Sequence, residues 1–187
     1  MIDKFVREIT HYDGSQLSSL WAFRNFGIQG DSIISFRGSC DVQLSHMVDL
    51  ADVRAGDSIY SEDMLHFIIE HFDMDLEKTV TRQRLLISII KELLEEETSC
   101  RLIRRGDDLY QGSRKLSVSI ATLSPVSTMI HTGINISSHN TPVPTVSISE
   151  LGWPEDRSEE LAAEICARYV AEINSIKMAR CKVRGVD

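Results

Sequence analysis

The clearest pattern of apolar and polar positions runs from Tyr110 to Ser137. Two arms rich in Val, Ile and Thr flank a break at Pro125, which predicts two β-strands. Successive strand residues point to opposite sides. In the first arm Leu116, Val118 and Ile120 therefore share one face, and Lys115, Ser117, Ser119 and Ala121 the other. In the second arm Ile130, Thr132, Ile134 and Ile136 oppose Met129, His131, Gly133 and Asn135. A hairpin that joins the two apolar faces needs opposed residues whose numbers sum to an even value. That means an odd-length loop of roughly three or five residues. The other face then gathers Lys115, Ser117, Ser119, His131, Gly133 and Asn135. It is either the solvated side of an antiparallel sheet or the floor of a ligand site.

The remaining periodicity supplies the rest of the elements. Residues 1–10 predict a short edge or surface strand. Ser15 predicts the N-cap of a helix holding Leu17, Leu20, Trp21 and Phe23, closed by Gly27. Ile33, Ile34 and Phe36 predict a strand that breaks at Gly38, and residues 57–60 predict another. Ser61, followed by Glu62 and Asp63, predicts a second helix with Leu65, Phe67, Ile68, Ile69 and Phe72 on its core side. On such a helix His66 and His71 diverge by roughly 140°, so they are structural or surface histidines rather than a metal pair. Leu85, Leu86, Ile89, Ile90, Leu93 and Leu94 predict a long helix from Thr79 to Glu97. Residues 101–104 and 108–111 predict a hairpin turning at Gly106 and Asp107. A turn-rich stretch with Asn140, Pro142 and Pro144 leads to a short strand at 145–148. Leu161, Ile165, Tyr169 and Ile173 predict a last helix from Arg157 to Arg180, after which the tail frays or adds an edge strand. The sum is an α+β fold, a mostly antiparallel sheet with flanking helices, in one domain over 1–187.

Composition narrows the function classes. With 42% hydrophobic and 26% charged residues the chain reads as an ordinary soluble globular protein. A net charge of −8 argues against a broad nucleic-acid surface. No apolar run approaches the roughly 20 residues needed to span a bilayer. Charges at Asp3, Lys4, Arg7 and Glu8 argue against a signal peptide. Cys40, Cys100, Cys166 and Cys181 are scattered without a C-x-x-C pair, which fits a reduced, cytoplasmic protein and no zinc knuckle.

Several residues carry candidate chemistry. Arg37, just before Gly38, suits a carboxylate or phosphate, or else an ordinary turn. His46, Asp49 and Asp52 lie three apart and would line one side of a helix. They either orient a general base or form a solvated face. No metal site is assigned, since metal sites usually need more ligands. Arg101, Arg104 and Arg105 form a basic cluster that reads as a solvated loop.

The stretches "GSRKLSVSIAT" and "MIHTGINIS" resemble the hairpin of biotin and lipoate protein ligases. Over its whole length the chain is also similar to a small, mainly archaeal family of unknown function. That family is assigned the same fold, shared with class II aminoacyl-tRNA synthetases. The resemblance implies that Lys115 contacts the acyl carboxyl and the adenylate phosphate, where an ammonium would neutralise developing charge. It implies that Arg37 and Gly38 belong to a loop over acid and nucleotide and that Asn135 matches an asparagine of the second strand; the cofactor stays unknown, with ATP as a candidate. The chain departs from the ligase pattern at Val118, where the ligases carry glycine, and in its short loop with a single glycine. These departures favour altered chemistry or binding alone.

Two readings follow. One is an enzyme-like relative that binds a small carboxylate or acyl-nucleotide, with Lys115 and Arg37 as anion contacts. Its acid/base group would be His46 or His131, and Ser117, Ser119, Gly133 and Asn135 would line the site. The other is a non-catalytic small-molecule-binding or interaction protein on the same fold. Homodimer formation is expected from exposed strands.

Overall fold

The computed structural model describes residues 1–56 and 59–186. The chain runs β1 (Ile2–Val6), α1 (Trp21–Phe26), β2 (Ser32–Val42), α2 (Leu50–Ala55), β3 (Ile59–His71) and α3 (Leu76–Thr98). It continues through β4 (Ile103–Arg105), β5 (Asp108–Gln111), β6 (Arg114–Lys115), β7 (Ser117–Leu123), β8 (Thr128–Asn135) and α4 (Ser158–Ala179). Among the described residues the main sheet has the order β1-β2-β3-β8-β7. Only β1 and β2 run parallel; the other neighbours are antiparallel. β4, β5 and β6 form a small second sheet.

Alternation along the strands splits the interior in two. Ile33, Leu65, Phe67, Ile69, Ile130 and Ile134 pack against α3 and α4 through Leu86, Ile90, Leu161, Ile165 and Tyr169. Phe36, Cys40, Met64, Ile68 and Met129 point the other way. No long helix covers them; Tyr12, Leu17, Trp21, Met47 and Val53 pack there instead. The antiparallel sheet and the two long helices agree with the expected α+β class. No helix of the described residues is long and apolar enough to cross a membrane.

Several expected elements are corrected. Residues from Ser61 onward are strand, not helix. β3 pairs with β2 on one side and β8 on the other. From Met64 to His71 it is buried on both faces, so its apolar run lacks the alternation that marks a half-buried strand. Backbone pairing on both edges outweighs the local helix signals of Ser61, Glu62 and Asp63. Of the strand expected at 57–60, residues 57 and 58 lie outside the described residues, and Ile59 and Tyr60 open β3. β2 runs through Gly38 rather than ending there. α1 begins at Trp21, five residues past its expected start, and ends at Gly27 in a left-handed conformation. Residues 145–148 contribute a single bridge, Lys115 with Thr145. Residues 181–186 add no strand, and Asp187 lies outside the described residues.

The β7–β8 hairpin forms, in the other register. Ser117 opposes Ile134, Ser119 opposes Thr132 and Leu123 opposes Thr128, so paired numbers sum to an odd value and residues 124–127 make an even-length loop. Ser124 and Ser127 hold that loop, with Ser127 N donating to Ser124 Oγ at 3.0 Å and Ser127 Oγ to buried Glu70 at 2.6 Å. The consequence is large, because a one-residue change in pairing parity moves every side chain to the other face. Ser117 and Ser119 face α3, while Val118 and Ile120 join Gly133 and His131 on the opposite side.

Candidate functional site

On the sheet face away from the long helices, β3 and β8 bring two histidines together. His66 opposes Gly133 and Ile68 opposes His131, which makes the two imidazoles diagonal neighbours on one face. His66 Nδ1 lies 3.1 Å from His131 Nε2, and His66 Nε2 lies 3.2 Å from the Gly38 carbonyl oxygen. A carbonyl only accepts, so His66 carries its proton on Nε2 and accepts at Nδ1. His131 must then donate from Nε2. Its own Nδ1 is an unprotonated acceptor with no hydrogen-bond partner among the described residues. Tyr12 stacks on His131 with ring centroids 3.7 Å apart. Burial pushes the His66 pKa down to about 3 and holds His131 well below the ordinary imidazole value, with His66 adding to the depression. Both rings are neutral at physiological pH.

Lys115 approaches from the small sheet. Tyr110 of β5 pairs with it on one side, and on the other its N–H donates to Pro144 O at 2.9 Å. Its ammonium lies 2.8 Å from Asp108 Oδ2, and both side chains are largely buried. Burial disfavours the ammonium, but the adjacent Asp108 carboxylate outweighs it and raises the Lys115 pKa. Burial also raises the Asp108 pKa, so this carboxylate depends on Lys115 to hold its charge. Asp108 Oδ1 is enclosed and has no hydrogen-bond partner among the described residues.

Two hollows meet at this lysine. The smaller, about 170 Å³, has His131, Tyr12, His46, Met47, Asp49 and Asp107 in its wall. The larger, about 550 Å³, lies against Tyr60, Met64, Tyr110, Asn135 and the Pro142–Pro144 segment. Lys115, Asp52, Ile59 and Val118 line both.

The expected site residues thus divide. Lys115, His131 and His46 share the smaller hollow, and Lys115 and Asn135 share the larger. His46 sits in a 3-10 turn before α2, and Asp49 caps that helix by accepting from Ala51 N at 2.7 Å. Among the described residues no three His, Cys, Asp or Glu side chains converge to hold a metal.

Four other expected contacts are turned elsewhere. Ser119 lines the smaller hollow and Ser117 the larger, but their hydroxyls are engaged within the protein: Ser117 Oγ accepts from Leu109 N at 2.9 Å and Ser119 Oγ from Gln83 Nε2 at 2.9 Å. Arg37 is held by Asp63, with Nε 3.0 Å from both carboxylate oxygens, and by the Glu155 carbonyl in the 3-10 turn that leads into α4. It braces helix to sheet. A Cβ on Gly38 would sit 2.0 Å from the Thr10 carbonyl oxygen, so this glycine admits a crossing of the chain's own backbone rather than a ligand. At Gly133 the equivalent space is filled by Met64 and Val118 side chains.

Three participants were missed. His66 was placed on a helix, where its partnership with His131 is invisible; reading β3 as a strand puts Met64, His66 and Ile68 on one face. Tyr12 arrives from a segment with no periodic signal. Asp108 carried a weak signal, a second aspartate beyond the turn residue Asp107.

The chain is similar over residues 1–184 to the family described as "Domain of unknown function (DUF366)". It is 40% identical over 179 residues to the uncharacterized protein MJ0805 of Methanocaldococcus jannaschii, covering 92% of this chain and 80% of that protein. The solved structure of a protein of unknown function from Pyrococcus horikoshi superposes with a TM-score of 0.88 at 39% identity, covering 99% of this chain and all of that one. The biotin protein ligase of Aquifex aeolicus superposes with a TM-score of 0.60 at 15% identity, covering 94% of this chain and 72% of the ligase, a likeness of fold. By the extent of the family match and the identity to its archaeal relative, the chain belongs to the DUF366 family, on the fold of the biotin and lipoate protein ligases.

Proposed function

We propose that this protein binds a small carboxylate across the two joined hollows, with the Lys115 ammonium as its anion contact. The observation that carries this reading is the position of Lys115 at the junction, in the wall of both hollows. The larger hollow supports it, since its volume falls within the roughly 300–1,000 Å³ of small-molecule sites and it mixes apolar walls with a few polar groups. The fold supports it by analogy, because a ligase structure of this fold holds biotin and ATP and another holds lipoate.

A triphosphate fits the lining poorly. Asp49, Asp52, Asp107 and Asp108 outnumber Lys115 in the smaller hollow, and Arg37 lines neither hollow. Polyphosphate recognition calls for several convergent cations or oriented N–H groups. That mismatch favours binding without ATP-dependent acyl transfer.

A panel of short and medium-chain carboxylic acids, screened by thermal stabilisation and by ATP–pyrophosphate exchange, tests both parts. We expect at least one acid to stabilise the wild type, Lys115→Ala to lose that response, and exchange to stay at background. Equal stabilisation of wild type and Lys115→Ala would refute the role of the lysine. Exchange that disappears with Lys115→Ala would replace the binding reading with an adenylating enzyme.

A further inference from the structure

We infer that the smaller hollow is a subsite for a protonated amine. This extends the ligand reading above from the junction into the adjoining chamber. The first observation is the acceptor character of the wall. His131 is only 4% exposed, lines the hollow, and has an Nδ1 without a partner among the described residues. The tautomer is set from outside the hollow, because the Gly38 carbonyl fixes the His66 proton and His66 fixes that of His131. What remains for a ligand is a lone pair, which only a donor can satisfy.

The second observation is charge. Asp49 is engaged by a backbone N–H and Asp107 by the Gln83 amide, neutral donors that leave each carboxylate charged. The Lys115 ammonium is matched by Asp108. The chamber therefore keeps an excess of negative charge beside the open lone pair of His131 Nδ1. An ammonium, with donors and no acceptor, answers both the charge and the lone pair. A metal ion is the weaker occupant, because no three donors converge among the described residues. An anion is opposed by the carboxylates. For an acid seated at Lys115, the inference specifies an amino group on the side that enters this chamber.

The test uses butylammonium chloride and its neutral isostere butanol, titrated into the full chain at constant ionic strength. Binding is read from the Met47 methyl and the His131 ring nitrogens by NMR. Before addition, His66 and His131 are expected as neutral tautomers protonated on Nε2. Butylammonium should shift the His131 Nδ1 and Met47 signals and bind about tenfold or more tightly than butanol. The double variant Asp49→Asn and Asp107→Asn keeps both structural hydrogen-bond acceptors and should lose that preference. Equal binding of the two probes, no response to butylammonium, or saturation of the same signals by magnesium chloride alone would overturn the inference. Carboxylate binding at Lys115 is measured separately, so either conclusion can fail while the other stands.

Discussion

Replacing His66 with glutamine should flatten the acid branch of the stability curve. His66 is fully buried, and its pKa in the folded chain is about 3, against about 6.5 when unfolded. Below pH 6.5 the unfolded chain takes up a proton that the folded chain refuses, so stability is full above that pH and falls as pH drops toward 3. The slope for one such histidine approaches about 1.4 kcal/mol per pH unit, and the loss between pH 8 and pH 5 is about 2 kcal/mol. Most structured carboxylates titrate below that window, so histidine dominates it. His131 and His71 are also depressed by burial and add to the wild-type slope. His66→Gln isolates one share. A glutamine amide can donate to the Gly38 carbonyl and accept from His131, and it does not titrate. Urea unfolding at several pH values measures the difference. The variant should lose about 2 kcal/mol less than the wild type between pH 8 and pH 5, whatever its absolute stability. Parallel curves would refute the claim that His66 is held neutral by burial.

Three further outcomes are expected. Gly38→Ala should destabilise by about 3 kcal/mol or more in urea unfolding, because its Cβ meets backbone at 2.0 Å; Gly133→Ala, which meets the flexible end of Met64 at 2.8 Å, should cost clearly less. Lys115→Met should destabilise by about 1–2 kcal/mol, a figure discounted for partial exposure of the pair, and adding Asp108→Asn should recover part of that loss. Arg37→Ala should lower the melting temperature through loss of its Asp63 and Glu155 contacts while leaving carboxylate binding at the hollows unchanged, which calorimetry and titration would check together.

Much of this architecture was legible in the chain. α3 and α4 were found within three residues at each end, because their apolar stripes repeat at helical spacing and their other faces are polar. The strands now labelled β7 and β8 were found because Val, Ile and Thr cluster on either side of Pro125. β3 was misread for a physical reason: a central strand buried on both faces shows no period, and its start carries residues that also begin helices. The site was half visible. Lys115, His131 and His46 do share a hollow, but the serine hydroxyls were taken by Leu109 and Gln83 once the loop of residues 124–127 set the opposite parity.

Side-chain chemistry and periodicity are local, so the chain alone carries the two long helices, the hairpin, the acidic balance and the choice of Lys115 and His131. Pairing register, the partner across a sheet and the state of a buried proton depend on residues far apart in the chain. Only the tertiary structure could therefore set His66 against His131, give Arg37 to Asp63, and bring Asp108 to Lys115.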